Sequence, residues 1–187
     1  MEDSNRGDAD RFEFEAMASA QVGSDIRAPA WRDVRRFLPR SMGKRYNQRR
    51  LEQINQIVIH HSGNKQGIPV ESVARYHCRI GWPGMGYHLY IMADGTIYLC
   101  NSLDVISYQT AKHNTRTIGI CLEGKFMGTK RPTVEQTAAA RSAAQFIAEA
   151  LDLDQTPRLV VGHRALVKTD CPGDTWDLWK GEIKPPW

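Results

Sequence analysis

Apolar residues along this chain fall into short β-branched runs that alternate with longer stretches of helical spacing. Ile57-Val58-Ile59-His60-His61, bounded by Ser62-Gly63-Asn64, predicts a buried strand that ends in a loop. Pro69 then opens a helix with Val70, Val73, Ala74 and His77 at i, i+3, i+4 and i+7, and Gly81 is its stop. Tyr87–Met92 and Ile97–Cys100 flank Ala93-Asp94-Gly95-Thr96, and Asp-Gly between two such runs predicts a hairpin. Thr117–Leu122 reads as another strand. Thr133 followed by Gln136 forms a capping box that starts a helix to about Leu151, with Ala139, Ala143, Phe146, Ile147 and Ala150 on one face. Arg158–Val161 is a short strand, and Asp174 is placed to cap a last helix in which Trp176 and Trp179 pack into the core. Strands alternating with helices, plus one hairpin, imply an α/β class with a central mixed β-sheet flanked by helices.

Length and composition narrow this further. At 187 residues the chain suits a single domain with its own core, and 41% hydrophobic with 25% charged residues argues against disorder, collagen and coiled coil. No apolar run approaches the roughly 18 residues of a membrane span, so no transmembrane segment is expected. Ala16-Met17-Ala18-Ser19-Ala20 resembles a cleavage site, but acidic residues stand where an apolar signal core belongs, so an ordinary secretory signal is not expected. The four cysteines, Cys78, Cys100, Cys121 and Cys171, lie far apart. In that context they read as free thiols or a metal ligand before a disulfide framework, with pairing left open.

The net charge of +4 is unevenly spread. Residues 1–23 carry six acids and two bases, residues 24–50 nine bases and two acids, and the remainder 14 bases and 13 acids. Three parts follow: a flexible acidic tail over 1–23, a basic segment over 24–54, and a near-neutral main domain over 55–187. The basic segment is either an arm folded along the domain or a contact for nucleic acid, anionic lipid or an anionic wall polymer. It lacks the interleaved aromatics of single-strand binders, so no nucleic-acid partner is expected. Trp31, Val34, Phe37 and Leu38 within it predict a short amphipathic helix docked on the core.

Candidate chemistry sits at predicted strand ends. His60-His61 follows one strand, His163 follows Leu159-Val160-Val161-Gly162, and Cys171 lies in Thr169-Asp170-Cys171-Pro172-Gly173. Strand ends on one sheet edge converge, so these residues can share an ion. Two imidazoles and one thiolate suit zinc and leave a fourth position open, as in a catalytic site. Adjacent residues of a strand face opposite sides, so only one of His60 and His61 is expected as a ligand, and a strand-end histidine can equally be a hydrogen-bonded structural residue. His77, on a buried helical stripe, reads as a core histidine, and His113 as a loop residue.

In this order, Ile57-Val58-Ile59-His60-His61-Ser62, Gly86-Tyr87-His88-Leu89-Tyr90-Ile91, Asp94-Gly95-Thr96-Ile97, Thr117-Ile118-Gly119-Ile120 and Gly162-His163-Arg164…Thr169-Asp170-Cys171-Pro172-Gly173 resemble the zinc-dependent N-acetylmuramoyl-L-alanine amidases. The resemblance covers about residues 55–181 and is strongest to the branch shared by amidase-type phage lysozymes and peptidoglycan recognition proteins. It implies that His60, His163 and Cys171 hold Zn2+. It also implies that Tyr87 orients the attacking water or the scissile carbonyl, and that Thr169, or its neighbour Lys168, donates to the developing oxyanion. His61, His88 and Asn114 would line the substrate groove. The implied reaction is hydrolysis, by zinc-activated water, of the amide between N-acetylmuramic acid and L-alanine of peptidoglycan. The expected context is a monomeric phage or prophage endolysin, made in the cytoplasm and acting at the bacterial cell wall after release.

One departure stands out. Where another amidase branch carries a glutamate on the central strand, this chain has Cys121. Glu123, two residues on, is a weaker candidate, read first as a packing residue. Two alternatives are weighed against the zinc amidase. The first is a recognition module that binds peptidoglycan without cutting it; such relatives typically lack the cysteine ligand, and Cys171 is present. The second is a Cys–His hydrolase with Cys171 as nucleophile and His163 as base, for which a Cys-Pro-Gly loop is a poor setting.

Overall fold

Six short apolar runs pair into one sheet because each finds a neighbour for its backbone hydrogen bonds. A computed structural model describes residues 28–184; the acidic segment 1–23 lies outside the described residues. The strands are β1 (Trp31–Asp33), β2 (Gln56–His61), β3 (Leu89–Ile91), β4 (Ile97–Leu99), β5 (Thr117–Leu122) and β6 (Val160–Gly162). Their spatial order is β1-β4-β3-β5-β2-β6, with all pairs parallel except β3–β4. That antiparallel pair is the predicted hairpin, closed by the Asp94-Gly95 turn, in which the Asp94 carboxylate accepts from the Thr96 N–H and Gly95 takes a positive φ of 83°. The mixed sheet of the predicted α/β class is therefore present.

Side-chain alternation sends the two faces of the sheet to two cores. Ile57 and Ile59 of β2, Leu89 and Ile91 of β3, and Ile118, Ile120 and Leu122 of β5 join the larger cluster. Two helices cover it, α2 (Val134–Ala150) and α3 (Trp176–Ile183), with Trp176 and Trp179 packed edge to face. The Thr133–Gln136 capping box forms as predicted. Thr175, rather than Asp174, precedes α3; the Asp174 carboxylate instead accepts from the Gly128 N–H across a neighbouring loop. On the opposite face, α1 (Val70–Arg79) buries Val70, Val73, Ala74 and His77, and a smaller cluster includes Tyr90 and Cys121.

The predicted helix through Trp31, Val34, Phe37 and Leu38 does not form. Trp31–Asp33 is a parallel edge strand on β4, followed by one turn in which the Leu38 N–H reaches the Val34 carbonyl. An isolated helix so short is marginal, whereas the edge of β4 offers ready hydrogen bonds. Trp31 and Val34 still pack on the cores and Leu38 is buried, but Phe37 is exposed. The basic segment is tied along the domain. Arg40 donates to the Asn101 side chain, Lys44 to the Gly81 carbonyl, and buried Arg49 to the carbonyls of Leu103, Asn114, Thr115 and Thr117. Burial lowers the Arg49 pKa to about 10. No helix among the described residues is long and apolar enough to cross a membrane.

Candidate metal centre

Parallel pairing of β2 with both β5 and β6 brings three strand ends to one edge. Ile59 lies opposite Gly162, so His60 at the end of β2 and His163 just past β6 are neighbours despite their separation in sequence. Their ring centroids are 4.4 Å apart. The loop after His163 folds back, with the Arg164 N–H bonded to the Cys171 carbonyl, and brings Cys171 to the same point. One ligand atom from each of His60, His163 and Cys171 lies within 4.8 Å of the others. Sγ of Cys171 is 3.5 Å from Nδ1 of His60.

The donor set fits a zinc ion. Burial, followed by the field of His163, holds the His60 pKa well below the ordinary histidine value. Burial lowers that of His163 to about 4, and its Nε2 is buried without a hydrogen-bond partner. Both imidazoles are thus neutral at pH 7 with lone pairs available. Two neutral histidines and a cysteine are ordinary zinc ligands, and three protein ligands leave a position open. Burial pushes the Cys171 thiol up to about 12, which is contrary to an activated nucleophile. All four cysteines are free.

Tyr87 stands beside this group, its ring 5.2 Å from that of His60 and 5.6 Å from that of His77. Burial, together with the nearby Cys121 and Cys171 sulfurs, raises its pKa well above the ordinary tyrosine value, so it is a proton donor rather than a phenolate. His77 is a core histidine, as its helical stripe implies: Nδ1 accepts from the Gly86 N–H and the ring stacks on Trp82 at 4.6 Å. Thr169 Oγ1 accepts from the Cys171 N–H at 3.2 Å, which leaves the hydroxyl proton for a second partner; Lys168 is exposed.

The three expected groove residues separate. His61 is half-buried beside the centre, with its backbone N–H 3.4 Å from Cys171 Sγ. His88 is fully buried and does not face a groove. Its Nδ1 accepts from the Gly119 N–H, and its Nε2 donates to the Val105 carbonyl beside Arg49, with the pKa lowered to about 3 by burial and then by Arg49. It shares the sheet face of His60, but Val105 and Ser107 cover it. The Asn114 carboxamide oxygen is engaged by the N–H groups of Gln109 and Thr110. Glu123 is buried, accepting from the N–H groups of Gly67, Ile68 and Ala93, and thus ties three loops together.

Sequence reasoning missed Gln109. This buried side chain accepts from His60 Nε2 at 2.6 Å and lies over β5 at Gly119, where a Cβ would approach its Cγ to 2.6 Å. No motif marks it; the absence of a side chain at Gly119 in an otherwise bulky strand is the only local signal.

Comparison with known proteins shows the family. The family model described as N-acetylmuramoyl-L-alanine amidase matches residues 50–174, and the chain belongs to that family. It is similar to an N-acetylmuramoyl-L-alanine amidase of Sus scrofa, 31% identical over 124 residues, which cover 62% of this chain and 21% of the relative. The chain thus spans about a fifth of that protein's length. It is also similar to the endolysin of Klebsiella phage KP32, 25% identical over 130 residues, covering 68% of this chain and 86% of the endolysin. Among solved structures, the ectodomain complex of peptidoglycan recognition proteins LCa and LCx bound to tracheal cytotoxin matches with a TM-score of 0.68 and 26% identity, covering 79% of this chain and 93% of that one.

Proposed function

We propose that this protein is a zinc-dependent N-acetylmuramoyl-L-alanine amidase that hydrolyses the bond between N-acetylmuramic acid and the L-alanine of peptidoglycan, and that it acts as a phage or prophage endolysin at the bacterial wall. The observation that carries this reading is the convergence of His60, His163 and Cys171 within 4.8 Å, with Tyr87 alongside. The phage endolysin that aligns over most of its own length supports the biological setting.

When bound, zinc lowers the pKa of water to about 7 and polarises a carbonyl. His60, His163 and Cys171 would hold it. Tyr87, kept protonated by burial, orients the substrate carbonyl and is the proton source for the departing amine. Thr169 offers a hydroxyl proton on the Cys171 loop where charge develops on the carbonyl oxygen, a contribution of roughly 3–4 kcal/mol when well aligned. His61, on the rim beside Cys171, contacts the stem peptide. Glu123, spent on three backbone N–H groups, is not the general base.

Mass spectrometry of digested peptidoglycan tests the bond assignment. The reading expects stem peptides with a free L-alanine amino group and glycan strands with free lactyl carboxylates. Cleavage at another bond overturns it, and binding without cleavage assigns the chain to recognition.

A further inference from the structure

A metal-ligating histidine has to present a lone pair, and a neutral imidazole carries its proton on one of two nitrogens. At His60 the choice is made three groups away. The carbonyl of His113, which can only accept, takes the hydroxyl proton of Thr117 at 2.9 Å. Thr117 Oγ1, its proton committed, is left to accept, and the Gln109 amide NH2 donates to it at 2.5 Å. That fixes which way the Gln109 carboxamide points. Its oxygen faces Thr110, whose hydroxyl donates at 2.5 Å, and His60 Nε2 at 2.6 Å. An oxygen that can only accept requires Nε2 to carry the proton. Nδ1 is then the bare nitrogen, and Nδ1 is the atom 3.5 Å from Cys171 Sγ.

Three further features hold this chain in place. Gly119 provides the space in which Gln109 crosses β5. Asn114 accepts from the backbone N–H of Gln109, fixing where the side chain starts. Arg49 binds the carbonyls of Asn114, Thr115 and Thr117 and so anchors both ends of the turn that supplies the chain's first acceptor.

We infer that Gln109 and Thr117 are positioning residues which set His60 as the Nε2–H tautomer and thereby prepare the metal site before any ion arrives. The inference deepens the zinc-amidase reading, while the tautomer itself is a property of the metal-free protein. Outer partners of ligating histidines typically change metal affinity by about 10–100-fold.

The test is a nitrogen NMR spectrum of the metal-free, 15N-histidine-labelled protein, alongside zinc competition with a chromophoric chelator. Wild-type protein is expected to carry its His60 proton on Nε2. Gln109→Met and Thr117→Val, folded by circular dichroism, are expected to show a mixture of tautomers and about 10–100-fold weaker zinc binding. Thr117→Ser, which keeps the hydroxyl, is expected to restore both. A His60 proton on Nδ1 in the wild type overturns the inference, as does zinc affinity in the Met and Val variants equal to wild type. If the wild type binds no zinc, the amidase reading fails, and the nitrogen spectrum alone still decides the tautomer.

Discussion

Nδ1 of His60 and Sγ of Cys171 lie 3.5 Å apart across 111 positions of sequence. One belongs to β2, the strand next to the edge strand β6, and the other to a loop that follows β6. The contact exists because β2 and β6 run parallel and end together, and because the chain returns from His163 to Cys171. His60, His163 and Cys171 come from different places in the chain, so their cluster forms only when the fold does.

Under the proposed mechanism, Tyr87 and Thr169 serve the reaction rather than the metal. Tyr87→Phe is expected to lower kcat by roughly 100-fold or more while zinc content stays at the wild-type level. Thr169→Ala should behave likewise, and Lys168→Ala should retain most activity. Steady-state kinetics with metal analysis checks this; a Tyr87→Phe enzyme of full activity would remove Tyr87 from the mechanism.

Gly119→Ala places a methyl group against Gln109 Cγ in a fully buried strand. The expected result is a loss of stability of roughly 1–3 kcal/mol from overpacking, with weaker zinc binding as Gln109 is displaced. Urea unfolding and zinc competition measure the two effects separately.

Glu123→Gln replaces a buried acceptor-only group by one whose NH2 must face a backbone N–H. A destabilisation of roughly 1.5–3 kcal/mol is expected, the cost of losing one hydrogen bond to a charged group. Specific activity per folded molecule should be unchanged; a selective fall in kcat would instead return Glu123 to the catalytic machinery.

The metal-free protein should be acid-labile through His77 and His88. Burial lowers their folded pKa values to about 4 and about 3 from 6.5, so between these values the unfolded chain binds more protons than the folded one. Their contribution is fully present above about pH 6.5 and is lost as pH falls, at up to about 1.4 kcal/mol per unit for each ring. Urea midpoints measured from pH 7 to pH 4 are expected to fall steadily; a flat profile contradicts neutral burial of these rings.

Much of this was legible in the sequence where a local signal and the tertiary structure agree. Thr133–Gln136 caps its helix, Asp94-Gly95 turns its hairpin, and Val70, Val73, Ala74 and His77 face inward because their spacing carries the information. The convergence of His60, His163 and Cys171 was readable because strand ends meet at one sheet edge. Trp31–Leu38 misled because helical spacing over eight residues is a weaker force than the open edge of β4. His88 misled because alternation gives the face of a strand and not what lies over it; Val105 and Ser107 cover the ring. Gln109 was invisible because its role depends on a loop crossing Gly119, a tertiary event with no period in the chain.

Zinc content and peptidoglycan hydrolysis, measured together on purified protein before and after chelation, test the central claim most directly. The account expects about one zinc per chain, release of stem peptides that stops on chelation and returns with zinc, and loss of both in Cys171→Ala with the fold intact. Hydrolysis by protein that contains no metal would contradict it and make Cys171 the nucleophile.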